Sequence, residues 1–252
     1  MFDFPSVPHK IYHRNFLRST LFSIEFSEEI QWELHSDAIA AMFSDEYPTK
    51  TPRLNIGINF TQKSAPKVST HANAFELNGL NGLKSLAFEG NILTILFHGE
   101  SYKSFSSIEP FFNRITELLQ SELSKYRIQR FSERKINLID FKIRDNEGLT
   151  MLRQLITSSL IGNIDYVPNL TYINQSINSI SFEKPDTRLN IKYGYNKINA
   201  SISQIILDLT ITTENNKKES SIIEYFETIN SELYKAFNWA ITEDYKKLMN
   251  HE

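Results

Sequence analysis

The segment INLIDF at 136–141 matches LFSIEF at 21–26 without a gap. Both alternate apolar residues across two faces, with Ile at the fourth place, a carboxylate at the fifth and Phe at the sixth. A chain that begins again at its midpoint is constrained more by that repeat than by any single motif, because each copy must form one supersecondary unit. Two further matches follow in order. LKSLAFE (83–89) and INSISFE (177–183) share one form, aliphatic-x-Ser-aliphatic-x-Phe-Glu, and lead to LTILF (93–97) and LNIKY (189–193). SSIEPFFNRITELLQSEL (106–123) aligns ungapped with SSIIEYFETINSELYKAF (220–237).

In that third pair Ile108, Phe112, Ile115, Leu119 and Leu123 fall opposite Ile222, Phe226, Ile229, Leu233 and Phe237. The spacing is the apolar stripe of an amphipathic helix. Serines supply N-cap oxygens, Ser221 with Glu224 fits a capping box, and Pro110 is placed in the first turn. Each half carries one more helix. Residues 27–43 are expected to start at Ser27 with Ile30, Leu34, Ala38 and Met42 on one face, and residues 145–160 present Leu149, Leu152, Ile156 and Leu160. Short, alternating, turn-bounded strands favour antiparallel meanders. Extra strands are expected at 52–60 and 72–78 in the first half and at 203–212 in the second.

The expected fold is therefore α+β: two tandem pseudo-symmetric β-α-β(n)-α repeats, antiparallel sheets backed by helices, divided as 1–127 and 128–252 and packed as one unit. With 40% hydrophobic and 23% charged residues the chain is an ordinary globular one, and a formal charge of −3 gives no general attraction to nucleic acid or membrane. Cysteine is absent, which excludes disulfides, thiolate metal sites and thiol nucleophiles. The start, MFDFPSVPHKIYHRNF, lacks a signal-peptide core and no apolar run reaches spanning length, so a cytoplasmic protein is expected. Triplets such as Asn59-Phe60-Thr61 are then chance matches to a glycan acceptor.

Four features bear on chemistry. Glu25, Asp140 and Asp208 sit inside apolar strands, where they form either a paired-carboxylate or cation site or the solvated face of a sheet. The run KYRIQRFSERK sets Lys125, Arg127, Arg130, Arg134 and Lys135 among Tyr126 and Phe131, a composition suited to phosphate contact and base stacking, or to dipole complementation and cross-strand ion pairs. His9 and His13 have metal-pair spacing without a third ligand in range. Trp32 and Trp239 read as core, whereas Tyr234, Trp239 and Tyr245 suggest a partner surface on the last helix. No nucleophile elbow, phosphate loop, dinucleotide fingerprint or zinc-protease motif occurs.

Three segments resemble a sporadically distributed prokaryotic family of conserved hypothetical proteins of about this length. RFSERKIN (130–137) keeps that family's mid-chain Arg130, Arg134 and Asn137, ILDLTI (206–211) its Leu-Asp-aliphatic strand, and AFNWAITEDYKKLM (236–249) its terminal helix. Phe16 and Ser19 depart from the family's early Pro and acid, and Ser132 and Lys135 from its mid-chain Gly and aromatic. The resemblance implies no activity, and its distribution implies a defence- or toxin-related setting. The expectation is a non-catalytic binding or regulatory module with a protein partner or a homo-oligomer, no cofactor, no metal and no membrane. Nucleic-acid or phosphate binding through 125–135 and a metal-dependent enzyme using the strand carboxylates are the alternatives.

Overall fold

The computed structural model describes residues 2–8, 10, 12, 14–53, 55–59, 67–71, 74–142, 147–161, 174–199, 201–215 and 221–250. In chain order the elements are β1 (Leu17–Phe26), α1 (Trp32–Met42), β2 (Thr49–Pro52), β3 (Asn55–Asn59), β4 (Lys67–His71), β5 (Ala74–Asn78), β6 (Lys84–Glu89), β7 (Ile92–His98) and α2 (Phe105–Ser121). Then come β8 (Ile128–Lys142), α3 (Glu147–Leu155), α4 (Ser158–Ile161), β9 (Gln175–Lys184), β10 (Thr187–Lys197), β11 (Ile202–Glu214), α5 (Ile222–Ala240) and α6 (Glu243–Asn250). Nine strands are hydrogen-bonded in the order β2-β5-β6-β7-β1-β8-β11-β10-β9, and β3 pairs with β4 alone. The fold is α+β, with one large sheet backed by helices. No helix among the described residues is long and apolar enough to cross a membrane.

The chain separates into two compact units, and neither is a contiguous half. One comprises Leu21–Ser132 and Glu214–Tyr225; the other comprises Met1–Thr20, Glu133–Thr213 and Phe226–Glu252. In the first, β2, β5, β6 and β7 form an antiparallel meander. Its core is aromatic: Phe22 meets Phe112 at 5.1 Å, Trp32 meets Phe88 at 5.2 Å, and Phe75 stacks on Phe88 at 4.5 Å. The tight β6–β7 turn needs Gly90, whose φ of 57° is left-handed. The Gly90 carbonyl then accepts from Ile30 N and from Trp32 Nε1, which fixes where α1 begins.

In the second unit β9, β10 and β11 are antiparallel, and Leu189 and Ile191 with Leu207, Leu209 and Ile211 face a core shared with Leu152, Ile156, Phe226, Ile229 and Leu233. The predicted stripes of α2 and α5 are buried, except that Phe237 is half-buried. Ser221 and Glu224 form the expected capping box, each backbone N–H donating at 3.2 Å to the other side chain. In α2 the cap is Ser104 with Ser107, two residues earlier than the sequence indicates, so Pro110 lies beyond the first turn and removes a helical donor.

Other expectations are corrected. Ser27 caps nothing: its N–H donates to the Arg127 carbonyl at 2.9 Å, and α1 starts at Trp32. The buried face of α1 is Trp32 and Ile39, while Leu34 is 73% exposed. The helix expected at 145–160 is interrupted at Ile156, which bridges Ile241, and the terminal helix breaks between α5 and α6. Leu149 lies among residues whose side chains are not described. The match of 83–89 to 177–183 joins strands in different places, since β6 is second from β1 and β9 is third from β8.

Candidate functional site

From Ile128 on, the basic run continues into the repeat segment as one strand, the fifteen-residue β8, while Lys125 and Arg127 precede it. Alternation along it turns Phe131, Glu133, Asn137 and Ile139 into the protein and sets Arg130 and Arg134 on the other face. Lys135 falls on the inward side, so the five cations of the basic run do not share one face. Arg130 Nε donates to Glu214 at 3.0 Å, with Glu25 3.6 Å from the same guanidinium, and these carboxylates raise its pKa. Arg134 forms a fork on Asp208, Nε and Nη2 donating at 2.9 and 2.6 Å. Lys135 Nζ donates to Asn230 and sits beside Glu133. Lys125 and Arg127 remain exposed, Lys125 above the Tyr126 ring.

Asp208 is buried and Arg134 half-exposed, so the pair is an internal charge with a partly solvated partner. Removing that partner leaves a buried carboxylate uncompensated. Arg134→Met should cost about 2 kcal/mol, the usual penalty discounted for the exposure of Arg134. Urea unfolding of Arg134→Met, Asp208→Asn and the double variant measures it, with coupling between the two expected.

The three strand carboxylates do not assemble. Glu25 belongs to Arg130, Asp208 to Arg134, and the exposed Asp140 accepts from Gln204 Nε2 at 2.7 Å. Among the described residues no three His, Asp or Glu side chains are grouped to hold a metal. His9, His13 and His251 lie outside the described residues, and His35 pairs with Glu122 at 3.3 Å.

One titratable group escaped the sequence analysis. Glu133 is fully buried and neither of its oxygens accepts a hydrogen bond, although the Lys135 ammonium lies 3.3 Å from one of them. Burial pushes its carboxyl up to about 7, against the opposing field of Lys135.

The suspected partner surface is taken up by the chain itself. Tyr245 is core, its ring meeting Phe16 at 5.8 Å and Phe237 at 5.7 Å. Trp239 meets Phe4 at 5.2 Å, and Phe4 and Phe2 meet Phe182 of β9 at 5.7 and 6.2 Å. Phe2 N donates to the buried Glu232 at 3.1 Å, and Asp3 lies 3.7 Å from Lys184. The segment at 2–5 thus packs against β9 and α5, and with Phe182, Glu183, Lys184 and Trp239 it walls an open cavity of about 420 Å³. Further along, Tyr234 OH donates to the Pro8 carbonyl and accepts from Lys10 N, at 3.2 and 2.8 Å. A second cleft, of about 430 Å³, opens there, lined by Lys10, Tyr12, Tyr234, Glu243, Lys246 and Lys247 among others. No family model matches the chain, and no curated protein matches it.

Proposed function

We propose that this chain is a non-catalytic binding module whose partner-facing surface is the groove of Phe182, Lys184, Glu232 and Trp239. The observation that carries this reading is what covers that surface: the segment Phe2-Asp3-Phe4-Pro5, held against it by aromatic rings and one acid-to-lysine contact. A partner offering two aromatic residues flanking an acid meets the same rings and the same ammonium. Aromatic anchors in a pocket are where binding energy concentrates. The family resemblance adds a defence- or toxin-related setting. The ungapped matches of 21–26 to 136–141 and of 106–123 to 220–237 support descent of the two halves from one β-α-β(n)-α unit.

The test opens the groove with Phe2→Ala/Phe4→Ala and titrates in a labelled peptide of residues 2–8. Fluorescence anisotropy should saturate, and Trp239→Ala should weaken binding at least about tenfold. An absence of saturable binding would overturn the reading.

A further inference from the structure

Beside the groove, the cleft between the N-terminal segment and α6 is a separate feature with different chemistry. Its lining brings three ammonium groups, Lys10, Lys246 and Lys247, against one carboxylate, Glu243, in a chain whose formal charge is −3. Each ammonium offers three donors. Lys246 gives one to Glu243 at 2.6 Å, and Lys247 gives one to Asp244 at 2.9 Å. Both are exposed three-residue helix pairs, which hold their lysines weakly. Lys10 Nζ lies 5.4 Å from the centre of the Tyr12 ring, and its charge reaches Glu243. Glu243 is held below the usual carboxylate range, chiefly by its hydrogen bond to Lys246. The Tyr12 hydroxyl is pushed up by burial and then by Tyr234 and Glu243.

We infer that this cleft is a binding site for a small phosphate-bearing molecule. Donors in excess of acceptors suit a ligand with many lone pairs: a phosphate presents more acceptor oxygens than a carboxylate, and lysines meet it as point charges. The volume falls in the range that small ligands fill, and the Tyr12 ring supplies a half-buried apolar wall for the body of the ligand.

The test is isothermal titration of the full chain with inorganic phosphate and with pyrophosphate at low salt. Both should bind saturably, pyrophosphate more tightly, and the affinity should fall as salt is added. Lys246→Gln/Lys247→Gln should weaken pyrophosphate at least about tenfold. Lys103→Gln/Lys142→Gln, which removes exposed charge outside the cleft, should leave the affinity unchanged. Circular dichroism confirms that each variant is folded. An absence of saturable binding, or an equal loss in both variants, overturns the inference; the second result would show attraction by net charge alone.

Discussion

Gly194→Ala is expected to lower the melting temperature by roughly 10 °C, through a loss of about 3 kcal/mol. Gly194 sits in β10, in register with Ile177 of β9 and Ile206 of β11. A Cβ there would overlap the Ser176 carbonyl oxygen and stand 2.8 Å from Ile177 Cα. The obstacle is backbone, which no side-chain rotation relieves, so β9 would have to move away from β10. A glycine inside a strand marks such an approach. Differential scanning calorimetry gives the shift, and hydrogen exchange should show protection lost first at β9. A melting temperature within about 2 °C of wild type would mean that the strands are not as close as described.

The second large effect is one of pH. Glu133 has its folded-state pKa raised to about 7 by burial, whereas the unfolded chain titrates it near the ordinary 4.5. Below 4.5 both states hold the proton, so the group costs nothing. As pH rises from there to about 7 the unfolded state releases its proton first, and stability is lost across that window. Above it the loss is constant, at most roughly 3 kcal/mol. Glu133→Gln removes the titration, and the Lys135 ammonium keeps its bond to Asn230. Urea unfolding should therefore find the variant close to wild type at pH 4.5 and more stable by up to that amount at pH 8. Asp37, Asp45 and Glu243 are shifted down and titrate with the opposite sign, but they are common to both proteins and cancel in the difference. A difference that does not change with pH would refute the assignment.

What the sequence revealed and what it hid follow from the range of the interactions. The stripes of α2 and α5 and the Ser221–Glu224 box depend on neighbours a turn away, and they were legible. The start of α1 was not. Ser27-Glu28-Glu29 has the composition of a first turn, but Ser27 and Ile30 are held by the distant carbonyls of Arg127 and Gly90, and tertiary bonds outweigh propensity. The basic run displayed its cations but not its counterions: Glu214 lies 84 residues from Arg130, and Asp208 lies 74 from Arg134. Glu133 could have been found, since a period of two from Phe131 to Asn137 and Ile139 places it inward. It was hidden by its charged neighbours in SERK. The groove joins Phe4 to Trp239 from opposite ends of the chain, and no local pattern encodes that contact.

The occupied groove can be tested through its own fluorophore. Of the two tryptophans Trp32 is fully buried, so acrylamide quenching reports on Trp239. Quenching should rise in Phe2→Ala/Phe4→Ala and fall back when the peptide of residues 2–8 is added in trans. Quenching that is the same in wild type and variant, or that the peptide does not reduce, would contradict a groove made to seat an aromatic segment.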